Sequence, residues 1–261
     1  MSYEQILTET RGPVRWLTLH RPEKLNAWTR QMANELASAI DEANEDPAIG
    51  TIVVTGSGRA FCAGADIEQA FGSRLEGQSE DPGRTRDWVA QVRSSKPLIA
   101  AINGVAVGVG ITQVLPFDLL VAAEEAKVGM FFVRMGLVPE LGSSHYLVQR
   151  VGFSLASEMC LSGHLYKATE LVGTGFFNAV VPAEQLEEET QRRAEEIANN
   201  PEPALRMVKE LLSVNGAETD LAEVQRRELE MLHRAYETPE HREAVAAFRE
   251  RRAPDFRKAR A

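Results

Sequence analysis

Two short runs constrain the fold most: "GTIVVTG" (Gly50–Gly56) and "KPLIAAINGVAVGVG" (Lys96–Gly110). Each is a β-branched or aliphatic stretch with no polar alternation, closed by glycine. A strand that is apolar on both faces belongs in a parallel sheet covered on both sides. "FDLLVAA" supplies a third such strand and "AKVGM" a fourth. Between them, "WTRQMANELASAIDEANED" places Met32, Leu36, Ala39, Ile40 and Ala43 at helical spacing and stops before Pro47. Strands alternating with helices predict an α/β fold with parallel pairing. Upstream, "YEQILTET" and "VRWLTLH" read as two strands joined at Arg11-Gly12-Pro13. From Phe153 onward the chain is expected to be mainly helical, broken by the strand-like "FNAVV", with no fixed-period repeat. The Gly/Ser/acid-rich stretch Phe71–Arg86 is expected to be a mobile loop.

At 261 residues the chain is long enough for one large domain, with or without a helical extension. Its net charge of −9 argues against a nucleic-acid partner, which needs clustered basic surface. The N-terminus lacks the apolar segment of a signal peptide, and no run approaches the ~20 residues of a membrane span. A cytoplasmic protein without a membrane partner is the expectation. Cys62 and Cys160 have no C-x-x-C spacing and fit free thiols in a reducing compartment, with Cys62 a small buried apolar residue.

Two glycine-rich turns, "CAGADI" and "NGVAVGVG", follow the strands Ile52–Thr55 and Leu98–Ile102. Neither is a P-loop or a dinucleotide fingerprint. Such turns point backbone N–H groups into the crevice at strand ends where α/β proteins bind ligands. Two converging N–H groups make an oxyanion hole, in which loss of one donor typically costs about 2.7–4 kcal/mol of transition-state stabilisation.

Over nearly its full length the chain resembles the enoyl-CoA hydratase/isomerase (crotonase) superfamily. The motifs are "RPEKLNA", "GRAFCAGADI", "KPLIAAINGVAVGVG", "FDLLVAAEEAKVG", "GLVPE" with "GSS", and "EMCLSG", in that order. The resemblance implies a spiral of ββα units over residues 1–195 and a helical trimerisation region over residues 196–261. It also implies a homotrimer or dimer of trimers acting on an acyl-CoA thioester. No metal or redox cofactor is implied, because coenzyme A belongs to the substrate. Carried over by position, the oxyanion hole is formed by the backbone N–H groups of Ala65 and Val109. Lys24, Leu25, Asp66, Ile67 and Arg251 (placed on the last helix) are the coenzyme A contacts. Thr112, Phe131, Phe132 and Leu137 form the pocket wall.

Val109 stands where the family usually has glycine, which narrows the space around a main-chain donor. Hydratases of the family hold two glutamates, at the positions of Thr112 and Phe132 here. Hydration needs a base for water and a proton source for the α-carbon, and neither residue supplies one. Glu140, in "GLVPELGSSHYL", matches the position of the lone acid/base in the isomerase branch. A double-bond shift needs only one such group. An apolar surround of Phe131, Phe132, Leu137 and Val138 would raise its basicity by desolvation. The bland alternative is a solvated acid at a helix N-terminus.

His145, beside Ser143 and Ser144, lacks an evident orienting acid, and Ser143 reads as a helix cap. Asp118 matches a structural position. The favoured function is a shift of 3-enoyl-CoA to 2-enoyl-CoA. Alternatives are a hydratase with atypical acid/base groups, an isomerase of cyclic or aryl acyl-CoA, and a non-catalytic acyl-CoA-binding paralogue.

Overall fold

The computed structural model describes residues 3–75 and 86–260. The chain opens with an antiparallel pair, β1 (Ile6–Arg11) and β2 (Val14–Leu19). Helix α1 (Arg30–Glu45) follows, started by the Thr29 side chain accepting a hydrogen bond from the Met32 N–H. It buries Met32, Leu36, Ala37, Ala39, Ile40 and Ala43, the stripe that helical spacing puts on one face.

One step then recurs three times: a strand in a large sheet, a strand in a small sheet, then helix. The first is β3 (Thr51–Gly56), β4 (Ala60–Cys62), α2 (Ile67–Leu75) and α3 (Trp88–Ser94). The second is β5 (Leu98–Ile102), β6 (Val105–Val107) and the short α4 (Val109–Thr112). The third is β7 (Leu119–Ala123), β8 (Lys127–Gly129), a 3-10 turn at Phe131–Met135 and α5 (Ser143–Ser162). Strands β9 (Tyr166–Lys167) and β10 (Ala179–Val181) complete the sheets.

The large sheet runs β1-β2-β3-β5-β7-β10 and the small one β4-β6-β8-β9. Strands β2, β3, β5, β7 and β10 pair in parallel, as do β4, β6 and β8. β5 is buried at every residue and β3 at all but Thr55, as runs without alternation require. The core lies between the sheets and the helices that cover them, with Phe61, Leu98 and Phe176 among its largest fully buried side chains.

Several expectations need correction. The two glycine turns do not follow β3 and β5 directly, because β4 and β6 intervene. Phe71–Arg86 begins inside α2, whose helix continues to Leu75, and Arg86 is paired with Asp41 at 2.7 Å. Residues 76–85 of that stretch lie outside the described residues. The helix expected to open at Gly142-Ser143-Ser144 does so, as α5, but it runs through Phe153 to Ser162 with a non-helical kink at Gly152. "KATELVGTG" forms only the 3-10 turn Ala168–Leu171, preceded by β9. Among the described residues no helix is long and apolar enough to cross a membrane.

The end of the chain is helical: α6 (Leu186–Ala198), α7 (Glu202–Asn215), α8 (Leu221–Tyr236), α9 (Pro239–Glu250) and α10 (Phe256–Arg260). α6 lies on the large sheet, burying Leu186, Thr190 and Ala194, and Gln191 accepts a 2.6 Å hydrogen bond from the Trp16 indole. α7 is tied to the core by an ion pair. Lys209, 6% exposed, donates from Nζ to Asp118 Oδ2 at 2.8 Å and to the Lys96 carbonyl at 3.2 Å. The same Asp118 oxygen accepts the Leu98 N–H at 2.7 Å. Burial lowers the Lys209 pKa against the pull of Asp118. Removing one partner of such a pair strands a buried charge, so Asp118→Ala is expected to cost about 3–5 kcal/mol. Urea unfolding checks this: the midpoint should fall clearly, and by less for Lys209→Met.

Candidate active site

β4, β6 and β8 run side by side in parallel, so their C-terminal ends open on one edge of the small sheet. Ala65 lies three residues past β4, and Val109 two residues past β6. Gly129 closes β8, where its carbonyl accepts the Gly108 N–H at 3.1 Å. The first two turns are forced together. A Cβ at Gly110 would lie 2.1 Å from the Cys62 carbonyl oxygen, an approach no side chain allows. Val109 is the first residue of α4, where an N–H has no intrahelical acceptor. Among the described residues neither the Val109 nor the Ala65 N–H donates a hydrogen bond. Two unpaired donors thus stand on adjoining turns at the ends of neighbouring strands, which is what binding a carbonyl oxygen requires.

The Ala65 turn is braced by the loop "RPEKLNA". The Trp28 N–H donates to the Gly64 carbonyl at 2.8 Å, and the Asp66 N–H returns to the Trp28 carbonyl at 2.9 Å. Arg21 donates to Asp66 Oδ2 at 3.0 Å and to the Ala27 carbonyl at 2.7 Å. Burial works to raise the Asp66 pKa, but the Arg21 hydrogen bond, the Gln69 N–H and the charges of Arg21 and Lys24 bring it below the ordinary value. The Asp66 carboxylate therefore serves the loop. Lys24 is exposed at the end of a 3-10 turn, Leu25 follows in the left-handed region, and Ile67 is exposed at the start of α2. Arg21 and the fully buried Asn26, whose amide donates to the Ser57 and Ala60 carbonyls, were not singled out in the sequence. Their only local signal is their place at either end of the Pro-interrupted run "RPEKLN".

Glu140 lies between the 3-10 turn and α5. The residue is exposed rather than at the floor of an enclosed pocket, yet protein atoms crowd its carboxyl enough for desolvation to raise its pKa. Among the described residues no cation offsets that shift. Phe131 and Phe132 are half-buried, whereas Leu137 and Val138 are exposed. Thr112 is wholly buried on α4, and its hydroxyl has no hydrogen-bond partner among the described residues. Ser143 is not the helix cap: Gly142 occupies that position, and the Ser143 hydroxyl is buried without a hydrogen-bond partner among the described residues.

His145 is exposed with its ring against Tyr146. Cys62 is fully buried and its thiol is pushed up to about 12 by burial, which leaves no thiolate for chemistry. Arg251 is not on the last helix but caps α9 in the left-handed region, and α9 packs on α8 and α10. A cleft of about 700 Å³ between α3, α7 and the α8–α9 junction is lined by Arg93, Arg234 and Glu210 among others, and by none of the candidate site residues.

The enoyl-CoA hydratase/isomerase family model matches residues 9–259. The chain belongs to the enoyl-CoA hydratase/isomerase family. It is 39% identical over 258 residues to the "probable enoyl-CoA hydratase echA8" of Mycobacterium bovis, covering 98% of this chain and 99% of the relative. It is 34% identical to the 1,2-epoxyphenylacetyl-CoA isomerase of Escherichia coli K12, covering 97% and 98%. The crystal structure of an enoyl-CoA hydratase from Bacillus anthracis superposes with a TM-score of 0.87 at 30% identity, covering 97% and 99%. These agree with the fold and family that the motifs imply.

Within this family frame, the contact of Gly110 with Cys62 is a steric requirement of the site. Overpacking of this kind typically costs about 1–3 kcal/mol, so Gly110→Ala should lower the melting temperature measurably. A variant that melts with the wild type would show that the two turns are not held by this approach.

Proposed function

We propose that this member of the family is an acyl-CoA isomerase that moves the double bond of a 3-enoyl thioester into conjugation at carbon 2. In this reading the Glu140 carboxylate removes a proton from carbon 2, between the thioester and the alkene. The Ala65 and Val109 N–H groups receive the negative charge on the thioester oxygen of the dienolate. The protonated Glu140 then delivers the proton to carbon 4, so the glutamate ends as it began. Positioned proton transfer of this type is worth about 10²–10⁴-fold in rate. Coenzyme A enters as part of the substrate, with Lys24, Leu25 and Ile67 along its path, and the proposed chemistry calls on no metal or redox group.

The observation that carries this reading is the single acid. Glu140 is a carboxylate with a pKa raised by desolvation alone, while Thr112 and Phe132 occupy the positions of the hydratase glutamates. Similarity to a relative named 1,2-epoxyphenylacetyl-CoA isomerase favours one second reading, an isomerase of ring-bearing acyl-CoA at the same glutamate. The hydratase names of other relatives support the shared fold and oxyanion chemistry, which both reactions use. We propose also that residues 196–261 assemble the protein into trimers, since Leu212, Leu221, Leu229, Leu232 and Phe248 are exposed on α7, α8 and α9. Light scattering should give a mass of three or six chains, and a monomer would overturn that proposal.

The functional test follows conjugated-enoyl absorbance with cis-3-hexenoyl-CoA, with crotonyl-CoA hydration as control. Wild-type isomerisation is expected to fall about 10²-fold or more in Glu140→Gln, with little hydration by either protein. Hydration without isomerisation would overturn the assignment. The base must be ionised to act, so kcat/KM should fall as pH drops through the Glu140 pKa. Because that pKa is raised, this acid limb should lie above the ordinary glutamate value.

A further inference from the structure

Glu140 opens a tight turn whose backbone is unusual. Its carbonyl accepts the Ser143 N–H at 3.0 Å, and the two intervening residues, Leu141 and Gly142, have φ of 56° and 69°. Two positive φ values in succession suit glycine and asparagine, and a leucine there is a departure that its surroundings must enforce. Such departures cluster at functional sites, where the strain holds a group in place.

The surroundings can be named. A Cβ on Gly142 would lie 3.3 Å from the Tyr146 ring and 3.4 Å from a methyl group of Val89 on α3, so ring and methyl close over the turn. The Tyr146 N–H also donates to the Gly142 carbonyl at 3.1 Å, and Leu141 packs against the core. Tyr146 is itself half-buried. Its pKa is raised by burial, against the lowering effect of Arg93, whose guanidinium is close enough to the hydroxyl to act by charge and hydrogen bonding. α3 is in turn anchored to the end of α4 by the Trp88 indole, which donates to the Gln113 carbonyl at 2.7 Å. A continuous line of packed groups thus runs from the Val109 helix through α3 and Tyr146 to the turn that carries Glu140.

We infer that Tyr146 is a positioning residue for Glu140. Its ring holds the Leu141-Gly142 backbone in the left-handed region, and thereby fixes where the carboxyl stands relative to the two oxyanion amides. The inference rests on Glu140 being the acid/base. Tyr146 touches no reacting atom, and its effect falls on the proton-transfer step rather than on binding of the coenzyme A moiety.

The experiment compares Tyr146→Ala and Tyr146→Phe with wild type on cis-3-hexenoyl-CoA, with Glu140→Gln in parallel. A small displacement of a catalytic group can cost as much as 10²-fold, so kcat for Tyr146→Ala is expected to fall about 10- to 100-fold. KM should stay within about twofold, because the interactions lost are not binding interactions. Tyr146→Phe keeps the ring and should restore most of kcat. Circular dichroism and melting establish that each variant is folded, and Tyr146→Leu, which keeps apolar bulk without the flat ring, takes the place of Tyr146→Ala if that variant unfolds. A folded variant lacking the ring with wild-type kcat, or with a raised KM alone, overturns the inference while Glu140 dependence leaves the proposed function standing. Turnover that survives Glu140→Gln overturns both.

Discussion

The close approach of α4 to the end of β4 is the constraint on which the site depends. Only a residue without a side chain lets the Gly110 backbone meet the Cys62 carbonyl, and that meeting brings the turns after β4 and β6 against each other. Everything the site offers to an anionic oxygen follows from it. Among the described residues the N–H groups of Ala65 and Val109 are left unpaired, because one lies in a turn and the other opens a helix. An unpaired buried donor is costly in an idle fold and useful in one that receives a developing negative charge. The recurrent step from large sheet to small sheet to helix therefore places strand ends side by side on one edge.

Several charges hold the fold, and Glu140 stands apart from them. Arg21 and Asp66 tie the first loop to the Ala65 turn, and Lys209 and Asp118 tie α7 to the starts of β5 and β7. On the helical surface, arginine neighbours bring the carboxyls of Glu189, Glu223 and Glu243 down to about 2. Glu140 differs from these: its shift is upward and has burial as its sole cause. A carboxylate without a cation is the more basic for it, and proton abstraction from carbon calls for that. The side chain remains open to solvent on the isolated chain, so the approach of substrate, more than the fold alone, would dry it further.

Legibility in the sequence followed element length in part, although the three-residue β8 and β10 were read from "AKVGM" and "FNAVV". Strands β3, β5 and β7 and helix α1 carry enough consecutive residues for burial pattern and period to show, and all were readable. β4, β6 and β9 have two or three residues each, too few for a period, and the first two lie among glycines that read as turn. The start of α5 was legible from its Gly142-Ser143-Ser144 turn rather than from its period. Its first turn, "SSHY", is polar, and the non-helical Gly152 splits its apolar pattern. Ser143 had the composition of a cap, but Gly142 in the left-handed region took that place and the serine hydroxyl turned inward.

Motif order alone identified the family, the strand–turn rhythm and the exchange of two glutamates for Thr112 and Phe132, because each is a matter of which residue stands where. The sequence also supplied the glycines whose lack of a side chain permits close approach. What it could not express is distance between segments far apart in the chain. Only the tertiary structure decided that Asp66 is committed to Arg21 and that Arg251 caps α9. It likewise decided that the Tyr146 ring closes over the turn beside Glu140. Desolvation, close contact and hydrogen bonding depend on which atoms surround a group, and those neighbours come from helices and loops tens of residues away.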